Sequence, residues 1–153
     1  MNVFAFRANP ELRFGSGRLR EVPDLAARWG PYAAAVISRT FLGTPAGAQL
    51  LAAFRGRDGT PRVFPAGGEP SPEDVDAVVG ELRGQEVCCV VAVGGGSVLD
   101  LGKAVSAMLR EAHPTREYLE GVGVRRPSGA KVPFLAVPTT AGTGSETTIA
   151  AVI

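Results

Sequence analysis

Three consecutive glycines and a serine, Gly94 to Ser97, directly follow an apolar run that is typical of a buried strand. Glycine lets the backbone approach an anion closely and adopt turns that a Cβ atom forbids. A helix that begins here offers free N–H groups and the positive end of its dipole to a negative charge. Gly94, Gly95, Gly96 and Ser97 therefore predict a phosphate cradle. A turn that only lets strand and helix pack is the alternative interpretation.

Asp100 lies in the first turn of the same helix and would repel a phosphate. Its expected partner is a ribose hydroxyl, a nicotinamide amide or the helix dipole itself. Lys103 follows three residues later, at the spacing of an ion pair along a helix.

A second loop, 138–146, also follows a β-rich run and is crowded with hydroxyl groups. The hydroxyls of Thr139, Thr140, Thr143 and Thr148 suit the edges of ribose, adenine or phosphate. The loop lacks the Gly-Lys-Ser/Thr of a Walker motif, which argues against kinase or ATPase chemistry. Two such loops together favour a dinucleotide ligand.

The remaining reactive side chains are few. Cys88 and Cys89 are adjacent in a predicted strand and so point to opposite faces, which favours core packing over a disulfide or metal pair. The single histidine, His113, is expected to face solvent at a helix end. One histidine does not make a typical transition-metal site, and no Ser-His-Asp set is evident. No catalytic set is therefore predicted in this chain.

Elements that would position these loops alternate along the chain. The predicted strands are Ala33–Ser38, Arg62–Phe64, Val87–Val93 and Val132–Val137, and the predicted helices are Leu19–Trp29, Thr44–Phe54, Pro72–Arg83 and Ser97–Arg110. Val3–Phe6 and Leu12–Phe14 predict a β-hairpin closed by Gly15–Gly17. Continuous apolar strands that alternate with helices indicate an α/β fold, a parallel sheet covered on both faces.

The bulk properties fit one globular domain: 153 residues, 45% hydrophobic, 20% charged, net charge +1. This charge gives no case for nucleic-acid or membrane binding, and we expect a cytoplasmic protein. The last residues, 147–153, are apolar and β-branched without a turn. We therefore expect residues 1–153 to be a dinucleotide-binding domain truncated at its C-terminal end.

The glycine run with Asp100, followed by Pro-Thr-Thr-Ala-Gly-Thr-Gly-Ser-Glu at 138–146, resembles the iron-containing (group III) alcohol dehydrogenase family. Phe14-Gly15-x-Gly17, Glu69-Pro70-Ser71-Pro72 and Leu119-Glu120-Gly121 agree with it, in order along the chain. The resemblance implies a Rossmann-like, doubly wound, mostly parallel sheet with an N-terminal β-hairpin. It also implies binding of NAD or NADP by Gly94, Gly95, Gly96, Ser97, Asp100, Thr139, Thr140 and Thr148, with Ser71 near the cofactor.

The implied reaction interconverts a primary or secondary alcohol and an aldehyde or ketone. In the family, Fe2+ (or Zn2+) in a C-terminal helical domain acts as a Lewis acid. This sequence departs from the family in two ways. The metal-binding domain is absent, so we expect the chain alone to be inactive. Arg39 stands where the family often has an aspartate that binds the adenosine ribose, and an arginine there predicts a preference for NADP.

Two other functions stay open: a non-catalytic nucleotide-binding module and a relative of dehydroquinate synthase. The second loop favours the dehydrogenase lineage over the latter. Phe4, Phe6, Leu12 and Phe14 could supply a sheet edge through which the chain forms a homodimer.

Overall fold

The computed structural model describes residues 11–56 and 60–153. The strands are β1 (Ala33–Ser38), β2 (Arg62–Ala66), β3 (Cys89–Gly94) and β4 (Phe134–Pro138). The α-helices are α1 (Val22–Ala27), α2 (Arg39–Leu42), α3 (Pro45–Arg55), α4 (Pro72–Leu82) and α5 (Gly96–Met108), and 3-10 helices cover Arg18–Glu21 and Thr115–Tyr118. No helix in these described ranges has the length and apolar character that crossing a bilayer requires.

The four strands form one parallel sheet in the order β2-β1-β3-β4, which confirms the predicted α/β class. The chain runs outward from β1 to β2 and then returns past β1 to β3. The direction of winding therefore reverses between β1 and β3. In open parallel sheets, this reversal leaves a crevice at the carboxyl ends of the strands, where ligands bind.

Both faces of the sheet are covered, because successive strand residues point to opposite sides. One face buries Ala35, Ile37, Val91 and Val93 against Val22 of α1 and against Leu50 and Phe54 of α3. The other face buries Ala34, Val36 and Val90 against Val75, Val79 and Leu82 of α4 and Val105 of α5. This is the doubly wound arrangement, and it explains why the strands read as continuous apolar runs.

Helix α4 begins with a capping box. The amide of Asp74 donates to Ser71 Oγ over 3.2 Å, and the amide of Ser71 donates to the Asp74 carboxylate over 2.9 Å. Pro72 occupies the first helical turn, where its missing N–H costs nothing. The helix ends at Leu82, one residue before the predicted end. Because α4 follows β2, this capped terminus lies at the carboxyl edge of the sheet.

The predicted helix from Leu19 to Trp29 is wrong in its extent. A 3-10 turn covers Arg18–Glu21, and α1 starts afresh at Val22 and ends at Ala27. Pro23 is the cause, since it has no N–H to donate to the carbonyl of Leu19. The short helix α2 was not predicted.

The predicted N-terminal hairpin is not formed by its described arm. Val3–Phe6 lies outside the described residues, whereas Leu12–Phe14 is described and is not a strand. Leu12 and Phe14 are 79% and 92% exposed. The alternation of these apolar residues with Arg13 therefore does not correspond to a buried face of a sheet. Arg13 instead pairs with Glu11 at 2.6 Å. The homodimer through these strands stays a prediction.

Candidate functional site

Four segments leave the sheet along its carboxyl edge. The register places Ser38 beside Ala66, Ile37 beside Val93, and Gly94 beside Pro138. Neighbouring strands are about 4.8 Å apart, so the four strand ends span roughly 14 Å. The segments that follow them, which contain Arg39, Ser71, the glycine loop and the threonine loop (139–148), all start from this row. The sheet thus brings the predicted site residues to one edge.

Helix α5 begins at the centre of this edge without a side-chain cap from the described residues. Its N-cap residue is Gly95, whose carbonyl accepts from Val98 over 3.0 Å and from Leu99 over 3.1 Å. The amides of Gly96 and Ser97 precede these bonds and have no intrahelical acceptor. Uncapped amides and the helix dipole together favour an anion in front of the helix.

Space, and not backbone conformation, requires glycine at position 94 and favours it at positions 95 and 96. None of them has a positive φ, so the expectation of a turn that Cβ atoms forbid is wrong here. A Cβ on Gly94, the last residue of β3, would lie 2.6 Å from the Cβ of Val98 in the first turn of α5. A Cβ on Gly95 or Gly96 would lie 3.3 Å from Thr140 Oγ1 or Thr143 Cβ. The small glycines therefore allow the threonine loop to lie close to the glycine loop. The sequence pattern did not indicate this contact.

The threonine loop folds over the start of α5. The amide of Thr139 donates to the carbonyl of Gly94 over 2.9 Å and joins the two loops at their bases. Gly142 and Gly144 then adopt φ values of +92° and +71°, which other residues rarely reach. These turns lay Thr140 and Thr143 against the glycine loop. Two of the hydroxyls expected to face a ligand thus lie at the uncapped helix end.

Asp100 is buried in the first turns of α5 and is already engaged. Its Oδ1 accepts from Ser145 Oγ over 2.7 Å and lies 2.9 Å from Lys103 Nζ, which confirms the predicted ion pair. Partial burial opposes ionisation, but the hydrogen bonds from Lys103 and Ser145 outweigh it and hold the pKa of Asp100 below its ordinary value. Its contact with a cofactor stays a prediction.

Lys103 extends this cluster to the end of the threonine loop. Its Nζ donates to the carbonyl of Ser145 over 2.9 Å, to Thr148 Oγ1 over 3.0 Å and to the carbonyl of Ala150. Thr148, predicted to contact the cofactor, thus faces Lys103. The spacing along the helix indicated only the pairing with Asp100. The loop partners lie 42 to 47 residues away in sequence, where no local pattern could reveal them.

Arg39 and Ser71 follow neighbouring strands at the other end of the edge. Arg39 opens α2 and is exposed, and its Nη1 would lie 3.6 Å from a Cβ on Gly67. The pKa of Asp74 lies below its ordinary value, first because Ser71 donates to it and, in smaller part, because the Arg39 guanidinium is near. Arg39 and Ser71, each predicted to lie near the cofactor, therefore both lie close to Asp74. The Ser71 hydroxyl also accepts the hydrogen bond from the Asp74 amide that caps α4.

The described residues do not form a metal site. Within 11–56 and 60–153, no group of three or more His, Cys, Asp or Glu side chains could hold a metal ion. His113 follows α5, about 20 Å along the helix from the glycine loop, and so lies toward the opposite edge of the sheet. Its Nδ1 is 3.8 Å from Glu117.

The sheet and its loops define a Rossmann-like α/β domain with a candidate anion site at the reversal of winding. The chain belongs to the iron-containing alcohol dehydrogenase family, whose model matches residues 9–153. The resemblance carried by the two loops is thereby confirmed.

Several known proteins are similar to this chain. Phosphonoacetaldehyde reductase of Streptomyces viridochromogenes is 34% identical over 137 residues, which cover 87% of this chain and 32% of that protein. NAD-dependent methanol dehydrogenase of Bacillus methanolicus is 32% identical over 94% of this chain and 38% of its own length. Sulfoacetaldehyde reductase from Bifidobacterium kashiwanohense, solved in complex with NAD+, superposes with a TM-score of 0.82 at 29% identity, covering 97% of this chain and 39% of that one. The chain thus spans less than two fifths of the length of these relatives.

Proposed function

We propose that this chain binds NAD or NADP at the carboxyl edge of its sheet, with the diphosphate in front of α5. One observation carries the proposal: the uncapped start of α5 lies under a loop whose Thr140 and Thr143 pack on Gly95 and Gly96. A diphosphate needs main-chain donors and a positive field, and this helix end supplies both. Support also comes from the similar sulfoacetaldehyde reductase, which was solved with NAD+.

The order of the strands suggests how the dinucleotide lies. The diphosphate takes the centre of the edge, between the ends of β1 and β3. The adenosine half then runs toward Arg39 and Ser71, and the nicotinamide half toward the threonine loop. The exposed Arg39 guanidinium is a suitable partner for a 2′-phosphate, because arginine binds phosphates through paired N–H groups. We therefore propose that the site prefers NADP.

The reaction proposed for the whole protein interconverts a primary or secondary alcohol and an aldehyde or ketone. A bound nicotinamide would supply the two-electron hydride acceptor for this oxidation, and the residues at the carboxyl edge of the sheet would hold it there. The names of the similar methanol dehydrogenase and phosphonoacetaldehyde reductase support this class. Because the described residues contain no candidate metal site, we propose that this chain supplies cofactor binding alone.

Calorimetric titration of the folded chain with NAD+, NADP+ and ADP tests the proposal. We expect one equivalent of each dinucleotide to bind, NADP+ more tightly, and ADP to compete because it carries the diphosphate. Circular dichroism on the same sample verifies the fold. A folded chain that binds neither dinucleotide at millimolar concentration would overturn the proposal.

A second assay separates cofactor binding from catalysis. The chain is mixed with NADP+ or NAD+, ferrous ion and a series of short alcohols, and the absorbance of the reduced nicotinamide is followed. We expect binding without turnover. Steady turnover by this chain would show that the catalytic set is present in it.

A further inference from the structure

Lys103 is surrounded by oxygen atoms of the protein itself. Its Nζ lies 2.9 Å from Asp100 Oδ1, 2.9 Å from the carbonyl of Ser145 and 3.0 Å from Thr148 Oγ1, and it also donates to the carbonyl of Ala150. An ammonium group has three hydrogen atoms to donate. The three are used within the protein, so the function of Lys103 is not to bind a ligand directly.

Asp100 contacts the same stretch of chain from the other side of the ion pair. Its carboxylate accepts from Ser145 Oγ over 2.7 Å, and the nearby backbone N–H of Val152 contributes, as the smallest cause, to its lowered pKa. Residues 145–153 contain no helix or strand. No backbone ladder within the described residues holds this segment to the domain; it is held by the two charged side chains of α5 and by the packing of Ala151 and Ile153 on the core.

The anchored segment is linked to the candidate site through Thr143. The amide of Ser145 donates to Thr143 Oγ1 over 3.4 Å, and Thr143 packs on Gly96. Displacement of Ser145 from α5 would therefore release Thr143, and with it the loop in front of the uncapped amides. Only the base of the loop, at Thr139, would stay fixed by its bond to Gly94.

We infer that Lys103, with Asp100, is a positioning residue: it holds residues 145–152 on α5 and so keeps the threonine loop over the diphosphate site. This inference rests on the proposed function. Its physical basis is that the pair is nearly buried, with side chains 10% and 12% exposed, and that its partners are loop atoms. A buried pair alone is weak evidence for stability, because desolvation offsets the attraction. Order in the loop is the contribution that distinguishes this pair from one that only stabilises the fold.

The test combines amide hydrogen exchange without cofactor and titration with NADP+ and NAD+. The variants are Lys103→Met, the double variant Asp100→Asn/Lys103→Met, and Lys131→Met as the matched control at an exposed lysine. Lys103→Met leaves the Asp100 carboxylate without its cation, which lowers global stability. The double variant removes both charges, so urea unfolding of this variant separates global stability from order in the loop.

In Lys103→Met we expect exchange in peptides covering 145–152 to accelerate, and affinity for the dinucleotide to fall, each by about tenfold or more, as for one lost charged hydrogen bond. The double variant regains global stability but neither loop protection nor affinity, and Lys131→Met behaves as wild type. Unchanged loop exchange in Lys103→Met would overturn the anchoring, and lost protection with unchanged affinity would overturn the positioning role. A wild-type chain that binds no dinucleotide would instead refute the proposed function. Hydrogen exchange in residues 145–152 would still test whether Lys103 anchors this segment.

Discussion

A Cβ atom on Gly95 would lie 3.3 Å from the hydroxyl oxygen of Thr140. This separation is tighter than most contacts of a real Cβ, so the glycine loop and the threonine loop are close neighbours at the start of α5. A ligand that binds the amides of Gly96 and Ser97 must enter beside this contact. The space over Gly95 therefore controls both the fit of the loops and access to the helix end.

We expect Gly95→Ala to weaken dinucleotide binding by about tenfold or more, the cost of displacing one hydrogen-bonded group at a site. The backbone at Gly95 has φ −75°, which alanine adopts without strain, so the midpoint of urea unfolding should change little. Calorimetric titration and urea unfolding measure the two effects separately.

Gly80→Ala is the matched control for Gly95→Ala. Gly80 is exposed in α4, and a Cβ there would meet nothing within 4 Å. We expect this variant to be more stable by about 0.5–1 kcal/mol, because alanine favours the helix. Its dinucleotide affinity should equal that of wild type. Equal affinities of Gly95→Ala and Gly80→Ala would refute the role assigned to Gly95.

Arg39→Asp should reverse the preference between the two dinucleotides. The carboxylate repels a 2′-phosphate, so the affinity for NADP+ should fall by about tenfold or more. It can accept a hydrogen bond from a ribose 2′-hydroxyl, so NAD+ should bind at least as tightly as in wild type. Arg126→Asp makes the same charge change in the loop after α5, toward the other edge of the sheet, and should leave the ratio unchanged. An NAD+ to NADP+ affinity ratio that is the same in both variants would exclude Arg39 from cofactor selection.

Local patterns predicted most of the framework. The strand Ala33–Ser38 has the predicted bounds, because a strand pattern depends on residues a few positions apart, as does the cap formed by Ser71 and Asp74. The predicted parallel sheet also formed, since a helix between two strands carries the chain back so that the next strand runs in the same direction. The arm Leu12–Phe14 was predicted wrongly because a strand requires a partner, which alternation alone does not guarantee.

Long-range contacts at the site could not be predicted in the same way. The sequence placed Lys103 beside Asp100 but gave no sign that Ser145 and Ala150 would reach the same ammonium group. The reason for Gly94 was also missed, since it depends on the position of the Val98 side chain in three dimensions. Such contacts depend on the path by which the loop returns to the helix, and the periodicity of apolar residues does not predict this path.

Gly102→Ala should destabilise the packing of α5 on the sheet. A Cβ there would lie 2.6 Å from Ala92 Cβ and 3.0 Å from the ring of Phe134. Such overpacking costs about 1–3 kcal/mol, measured as a lower free energy of unfolding in urea.

A double-mutant cycle checks the cause of that loss. Ala92→Gly removes the nearer obstacle, so Gly102→Ala should cost less in its presence than in wild type, even though glycine weakens a strand. Additive costs in the double variant would mean that contact with Ala92 does not cause the destabilisation.

The two cysteines should differ in reactivity. Burial, and next the neighbouring Cys88, raises the pKa of the Cys89 thiol to about 11, and its side chain has no exposed surface. At pH 8 in the native state we expect Ellman's reagent to modify Cys88 well before Cys89, and both to react at once in denaturant. In Cys88→Ser the native protein should react only slowly. Fast modification of that variant would contradict the burial of Cys89.

The ion pair of Asp100 should make stability depend on pH in acid. Because the pKa of this carboxyl lies below its ordinary value of 3.8, its charged form stabilises the fold above that pH, and the contribution is lost as pH falls through the lowered folded-state pKa. At neutral pH we expect Asp100→Asn to be less stable by about 1.5–3 kcal/mol, the range for hydrogen bonds to a charged group. Urea unfolding of both proteins from pH 7 to pH 3 measures the difference between their free energies of unfolding. This difference should narrow only in acid, because Asp100 then becomes protonated in wild type. A difference of constant size across this range would mean that the charge of Asp100 does not contribute to stability.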